Sequence, residues 1–341
     1  MRVLITGGQG FIGRNLARQL LAGAGVVAAH GSPVPLRELV LLDPAPAPAT
    51  GATPQDARVR AVQGDAGDPA LIGRLLAAGL DTIFVLGASL TAEAEQDFAR
   101  GLQVNLYGML ALLEACRLHG GPPPRLVYAS SIAAFGGDLP ETVGDHQART
   151  PETSYGTQKA VNELLINDYS RRGHIDGRVL RLPVVLARPA AAVPSVSDRL
   201  AALLRDLPAG RDLLCPWRGD SRVPVASVRA VVRALVALQA LPAAALGRDR
   251  AINLPSLSVT LTELAEAALA GAALAGAAVS AEGGPPSRPP GRVQWQPDAL
   301  LQGVLDAWPR RFDSARARAL GITGDADLAT LVADALRDLA S

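Results

Sequence analysis

Tyr155 and Lys159 stand four residues apart in Ser154-Tyr155-Gly156-Thr157-Gln158-Lys159, and Lys159 is the only lysine in a chain whose other basic residues are all arginine. On a helix, residues i and i+4 share one face, so the phenol and the ammonium point the same way. A cation beside a phenol favours the phenolate and lowers its pKa from about 10. Arginine would bring a planar fork where a compact point charge is wanted. The pair suits one task, removal of a proton from a substrate hydroxyl. Tyr/Lys neighbours also arise by chance on solvated helix faces. Retention of a single ammonium argues against that origin here.

The N-terminal stretch offers a site for the reaction's other partner. Val3-Leu4-Ile5-Thr6 is a short apolar run ending in Gly7-Gly8-Gln9-Gly10-Phe11-Ile12-Gly13, and a helical pattern follows from Phe11 to Leu21. The glycines satisfy both G-x-x-G-x-x-G and G-x-G-x-x-G. They allow a tight turn, close backbone approach to a pyrophosphate, and helix-to-strand contact, with the phosphates over a helix N-terminus. A second strand, Glu38–Leu42, ends in Asp43. An acid there accepts hydrogen bonds from the adenosine ribose hydroxyls and repels a 2′-phosphate, so NAD is expected rather than NADP. Asp43 lies farther from the glycines than the usual spacing of about 20 residues. A Gly-, Pro- and Ala-rich loop insertion over residues 24–35 accounts for the excess. Arg14 would suit a 2′-phosphate, but in the first turn of a helix it is expected to face solvent.

Further strands and helices alternate. Residues 45–53 read as loop. Val59–Val62 is a strand closed by Gly64-Asp65, where an acid can meet the adenine amino group; Asp68, before Pro69, reads equally well as a helix N-cap. Asp81–Leu86 is a fourth strand, followed by the small residues Gly87-Ala88-Ser89. A helix from about Ala94 to Arg117 carries Asn105, and Arg125–Ala129 is a fifth strand ending in Ser130-Ser131. The helix of Tyr155 and Lys159 runs from about Glu152 to Arg172, and a sixth strand, Arg178–Leu182, stops at Pro183. This alternation predicts an α/β Rossmann fold with a doubly wound parallel sheet. Ligands bind at the carboxyl ends of such strands, where Gly7–Gly13, Asp43, Ser89 and Ser131 all fall.

Beyond Pro183 the character changes. Loops dominate, with Cys215–Arg222, a helix over Val228–Leu238, the Ala251–Asn253 run, a Gly/Pro-rich insertion at residues 283–291, a short strand at Val293–Trp295, and closing helices at Ser314–Leu320 and Leu328–Leu339. The expected division is residues 1–183 as a dinucleotide-binding domain carrying the catalytic groups. Residues 184–341 form a smaller α+β substrate-binding region, some of it crossing back to the first domain. Net charge is +1 with no basic block, so nothing points to nucleic acid. The Ala-rich stretch Leu261–Val279 is interrupted by Glu263, Glu266 and glycines and reads as a soluble helix, not a membrane span. Two cysteines, Cys116 and Cys215, are too few for a disulfide framework, and the four histidines show no metal-ligand spacing, so no metal is expected. No targeting segment precedes the first strand, which fits a reducing cytoplasm.

Taken together, Thr6–Gly13, the serine ending the fifth strand, and Tyr155–Lys159 resemble the motifs of the extended short-chain dehydrogenase/reductase superfamily, whose members include nucleotide-sugar epimerases and dehydratases. Within it, Ser154–Arg172, Gly177–Pro183, Ala251–Pro255 and the Trp308-Pro309…Arg311-Phe312-Asp313 segment are similar to the D-erythronate dehydrogenase group. The resemblance implies a catalytic triad of Ser131, Tyr155 and Lys159. Ser131 is preferred to Ser130 because it stands four residues before Phe135-Gly136, where relatives carry an aromatic-Gly pair. Asn105 matches a supporting asparagine. Cofactor contacts implied are Gly7, Gly10, Phe11, Ile12 and Gly13 in the turn; Asp43, Asp65 and Ala66 after the next strands; and Leu86, Gly87 and Ala88. Asn105, Tyr155, Lys159, Pro183 and Val185 complete them. Relatives often read His-x-Ala-Ala where this chain has Val85-Leu86-Gly87-Ala88. Dehydratases carry an acidic pair after the serine, and Ile132-Ala133 here excludes dehydration.

The mechanism so implied has Tyr155 as phenolate base, tuned by Lys159, which also holds the nicotinamide ribose, while Ser131 hydrogen-bonds the reacting oxygen. Arg222 is the candidate partner for a substrate carboxylate, with a surface role the alternative; Thr91 is a candidate for substrate hydroxyls, and Arg181 is read as structural. The expected activity is NAD-dependent oxidation of a small sugar acid, such as D-erythronate, to a 2-oxo acid. The alternatives are a nucleotide-sugar 4-epimerase that retains its NAD, and a non-catalytic NAD-binding regulator, against which the presence of both Tyr155 and Lys159 counts. The two long helices, Ala94–Arg117 and Glu152–Arg172, suggest a homodimer.

Overall fold

Apolar runs in the first half of the chain become strands covered on both faces. The structure, a computed structural model, describes residues 1–23, 34–46, 54–186, 195–281 and 289–340. In order, the first half comprises β1 (Arg2–Thr6), α1 (Phe11–Leu21), β2 (Glu38–Asp43), β3 (Val59–Gln63), α2 (Pro69–Ala77), β4 (Thr82–Val85), α3 (Thr91–Gln96), α4 (Phe98–Gly101), a π-helical segment (Leu102–Tyr107), α5 (Gly108–Leu118), β5 (Arg125–Ser131), a single 3₁₀ turn (Ile132–Ala134), α6 (Ser154–Arg171) and β6 (Asp176–Leu182). The rest adds β7 (Val184–Leu186), α7 (Val196–Arg205), β8 (Leu213–Cys215), β9 (Arg222–Ser227), α8 (Val228–Ala240), β10 (Ala251–Asn253), β11 (Leu257–Thr260), α9 (Leu261–Ala281), β12 (Val293–Trp295), α10 (Ala299–Asp306), α11 (Ala315–Ala319) and α12 (Leu328–Ala340).

Seven strands pair in parallel in the order β10-β6-β5-β4-β1-β2-β3. Side chains alternate across each strand, so one sheet serves two cores. Val3, Ile5, Leu39, Leu41 and Phe84 pack toward α1 and α8, whereas Leu4, Val40, Leu42 and Ile83 pack toward α2 and α5. The order reverses between β1 and β4, and that crevice is where a doubly wound sheet binds its ligand.

The second half does not stay apart from the first. α8 packs against α1, and β10 is the seventh strand of the Rossmann sheet, so Ile252, Leu254, Ala317 and Ile322 belong to the first core. A separate core around Trp217, Leu200, Val225 and Leu264 holds the small sheet β11-β9-β7 and α7, α9 and α12. No helix among the described residues is long and apolar enough to cross a membrane.

The helix expected over Ala94–Arg117 is instead broken. The chain leaves helical geometry at Asp97 (φ −130°), whose carboxylate caps α4 by accepting from the Arg100 N–H, and the next residues wind as a π-helix before α5. α6 begins at Ser154, because Thr153 caps it by accepting from the Gly156 N–H at 3.1 Å. The expected insertions near residues 24–35 and 283–291, and the loop at 45–53, fall largely outside the described residues.

Gly156 explains how α6 comes so near the sheet. A Cβ at this position would stand 2.0 Å from the Ala133 carbonyl oxygen, in the 3₁₀ turn that follows β5. Gly156→Ala should therefore force helix and turn apart and lower unfolding free energy by about 1–3 kcal/mol, a typical overpacking cost, as read by urea denaturation. Unchanged stability would mean that the helix can retreat without loss.

Candidate active site

A cavity of about 900 Å³ lies over the carboxyl ends of β1, β2 and β4. Its floor is the glycine turn. Gly7 has φ +68°, and a Cβ there would stand 2.6 Å from the Gly87 backbone nitrogen. A Cβ on Gly13 would stand 2.3 Å from the Gly7 carbonyl oxygen. Only glycines let the first turn, α1 and the end of β4 close on one another this tightly. Gly10, Phe11, Ile12, Leu86 and Ala88 line the same cavity.

Asp43 is fixed at its far end, accepting from the Gln9 N–H and the Ala45 N–H, each at 3.1 Å. Arg14 does not face solvent as expected. It is half-buried and donates to the Gln9 carbonyl at 2.6 Å, bracing the glycine turn. Asp65 also lines the cavity, with Ala66, and accepts from the Gly67 N–H at 2.8 Å. Asp68 is the N-cap of α2. A glycine cradle under a helix N-terminus and a carboxylate anchored at the second strand fit a nicotinamide dinucleotide.

Asn105 ties the cavity wall to α6. Its side chain exchanges hydrogen bonds with the Ser89 backbone (2.9 and 2.8 Å) and donates to Gln158 at 2.6 Å, while its carbonyl accepts from Asn162 at 2.8 Å. The π-helical winding of Leu102–Tyr107 carries this side chain, as such segments often do at functional sites.

Tyr155, Lys159 and Glu163 succeed one another at four-residue intervals on the buried face of α6. The Lys159 ammonium donates to the Ala129 carbonyl at 2.8 Å and sits 4.5 Å from the Tyr128 ring centre and 5.4 Å from that of Tyr155. Burial pushes its pKa down to about 7, opposed by the Glu163 carboxylate one turn away. Glu163 is fully buried and accepts from Ser130, Arg149 and Arg181. Arg181 has the structural role expected of it.

Ser131 and Tyr155 face a second, small pocket of about 60 Å³, which Thr91, Pro183 and Trp308 also line. The pleat of β5 separates the two serines, Ser130 toward Glu163 and Ser131 toward this pocket. Lys159 lines the large cavity, as does Asn105, and since Tyr155 lines the small pocket, α6 borders both spaces. Two sequence-derived residues lie elsewhere. Val185 is buried in the core and lines neither space. Arg222 lines a third, polar cavity of about 640 Å³, where it donates to the Ser258 carbonyl at 2.8 Å and pairs with Glu263 at 3.6 Å. Sequence reasoning missed Gly156, Glu163, and the pocket residues Leu90, Ser195, Ser197 and Trp308. Glu163 was within reach, since it continues the four-residue spacing of Tyr155 and Lys159.

A family model described as the NAD dependent epimerase/dehydratase family matches residues 3–254, and the chain belongs to that family. It is similar to the D-erythronate dehydrogenase of Cupriavidus necator, at 39% identity over 99% of this chain and 98% of that protein. The D-erythronate dehydrogenase of Haemophilus influenzae is 34% identical over 97% of this chain and 98% of its own length. Among solved structures, a nucleoside-diphosphate-sugar epimerase from Agrobacterium tumefaciens superposes with a TM-score of 0.81 at 32% identity, covering 97% of this chain and 92% of that one.

The buried ammonium makes stability depend on pH. Between about 7 and the ordinary lysine value of about 10.4, the unfolded chain binds a proton that the folded protein lacks. Stability therefore rises with pH across that window. In the ligand-free protein, Lys159→Met should abolish the rise, which amounts to on the order of 1 kcal/mol per pH unit. Its gain over wild type should be largest near pH 7 and fade toward about pH 10, measured by urea unfolding at several pH values. Parallel curves for the two proteins would mean that Lys159 stays charged when buried.

Proposed function

We propose that the protein is an NAD-dependent dehydrogenase that oxidises a hydroxyl of a small sugar acid, D-erythronate or a close relative, to the 2-oxo acid. The observation that carries this reading is the small pocket holding Ser131 and Tyr155 beside the larger dinucleotide-sized cavity, with Lys159 and Tyr155 on one helix between them. Full-length similarity to two proteins named D-erythronate dehydrogenase supports the choice of substrate. Asp43 at the end of β2 favours NAD over NADP.

Bound in the large cavity, the nicotinamide supplies the hydride acceptor. Gly7, Gly10 and Gly13 would cradle the pyrophosphate, Asp43 the adenosine ribose, and Lys159 the nicotinamide ribose. Tyr155, as phenolate, takes the proton from the substrate hydroxyl, and the neighbouring ammonium stabilises that anion. The Ser131 hydroxyl donates to the reacting oxygen as its negative charge grows. Ser195, Val196 and Ser197, where α7 begins, line the pocket, and the Asp198 carboxylate holds that turn by accepting from the Ser195 N–H and hydroxyl. On this reading the chain to Pro183 holds the cofactor and the catalytic groups, and the later region completes the substrate pocket.

A retained-cofactor 4-epimerase is the second reading, favoured by the polar cavity around Arg222, which has room for a nucleotide. We also infer a homodimer, because Phe98, Tyr107, Leu118 and Leu164 leave apolar surface exposed along α4 to α6. The reaction fits the cytoplasm, where free NAD is available.

Purified protein with NAD and four- to six-carbon aldonates should form NADH steadily, with D-erythronate among the best substrates. Silence across the panel, with NAD copurifying, would favour the epimerase. Tyr155→Phe should lower kcat by roughly 10²–10⁴-fold, the range for a lost general base, and wild-type turnover would remove Tyr155 from that role. Asp43→Ala should erode the preference for NAD over NADP, measured as a ratio of kcat/KM; an unaltered ratio would show that Asp43 does not select the cofactor.

A further inference from the structure

Three spaces adjoin one another, and each neighbouring pair shares a single lining residue. Leu90 lines both the large cavity and the catalytic pocket. Trp308 lines both the catalytic pocket and the polar cavity beyond it. The volumes differ about tenfold across the indole, with about 60 Å³ on the side of Ser131 and Tyr155 and about 640 Å³ on the side of Arg222.

We infer that Trp308 sets the length of the substrate: its indole closes the far end of the catalytic pocket and restricts oxidation to short-chain polyhydroxy acids. This deepens the dehydrogenase reading and rests on it.

The wall is held rigidly. Trp308 is 7% exposed and packs in one core with Leu305 and Phe312. Its backbone N–H donates to the Leu305 carbonyl at 3.2 Å, at the end of α10. Beyond it, the Arg310 carbonyl accepts from Ser258 at 2.7 Å, and the Arg311 carbonyl accepts from the Val143 N–H at 2.9 Å. Phe312 then forms a parallel bridge with Val143 and packs edge-on against Phe135 at 6.2 Å. These contacts hold the backbone on both sides of Trp308, and the indole itself is buried.

What lies behind the partition would welcome a longer substrate. The polar cavity is lined by Arg218, Arg222, Arg310 and Arg311 together with Asp138 and Glu141. Hydroxyl groups of an extended sugar-acid tail would find donors and acceptors there. The indole, and not a shortage of polar partners, is what ends the pocket.

The test compares wild type, Trp308→Phe and Trp308→Ala on NAD with aldonates of four, five and six carbons, each protein first checked for a cooperative thermal transition. The six-carbon to four-carbon ratio of kcat/KM should rise at least tenfold in Trp308→Ala and by less in Trp308→Phe, with a higher KM for the four-carbon acid as its enclosure is lost. If both variants oxidise the four-carbon acid and the ratio does not move, Trp308 does not set length, while the dehydrogenase stands. If wild type already oxidises six-carbon acids as well as four-carbon ones, the inference likewise fails alone. If wild type oxidises no aldonate, the dehydrogenase reading falls and takes this inference with it. Should Trp308→Ala not fold, Trp308→Phe and Trp308→Leu decide by the same ratio.

Discussion

A single ammonium buried against the sheet is the constraint on which the rest of this structure depends. Taking a charge out of water costs several kcal/mol unless partners replace the solvent. Lys159 has a carbonyl at 2.8 Å, two aromatic faces and a carboxylate one turn away. Those partners come from β5 and from α6 itself, so helix and strand must meet at close range. Gly156 permits that approach, and Glu163, bound by Arg149, Arg181 and Ser130, clamps the same helix to β5, β6 and the Arg149 loop. The clamp also limits how far burial can lower the lysine pKa. A residue pair that looks like two neighbours on a helix is therefore the visible end of a network spanning the sheet.

The same closeness recurs on the cofactor side. Gly7 meets Gly87, and Gly13 meets Gly7, so three chain segments touch where each lacks a side chain. Asn105 then joins the Ser89 backbone to Gln158 and, through Asn162, to Tyr128. The wall of the large cavity and α6 are thus connected through buried hydrogen bonds. On the proposed reading, such rigidity would hold a base and a hydride acceptor at a fixed separation, which is much of what catalysis requires.

Local signals were legible in the sequence and distant ones were not. The glycine spacing, the apolar strands, Asp68 before Pro69 and the Tyr155/Lys159 interval each depend on residues a few positions apart. They correspond to the turn, the sheet, the N-cap and the shared helix face. The helix across residues 94–117 was read straight through Asp97, where the backbone departs from helical geometry and the carboxylate caps the next turn instead. Arg222 drew attention by its type and place, but its neighbours Ser258 and Glu263 lie far along the chain, and no spacing rule shows that they hold it in another cavity. Trp308 was noticed only within a segment resembling relatives. Its position between two cavities follows from anchors at Val143, Ser258 and Leu305, which only the folded chain assembles.

The division between these signals has a physical origin. A Rossmann sheet with a Ser/Tyr/Lys site serves dehydrogenation and epimerisation alike, because both begin with the same removal of proton and hydride. What separates them is what the substrate can reach and whether it leaves after giving up its hydride. A nucleotide sugar must anchor a bulky group beyond the reacting carbon and keep it there while the hydride returns. A small acid needs only enclosure around one hydroxyl and an exit. In this chain the space next to Tyr155 is small, and the roomy polar cavity lies behind an indole fixed on both sides. On the proposed reading, that geometry favours a substrate that ends before the wall, with Trp308 shaping the space while taking no part in the proton or hydride transfer.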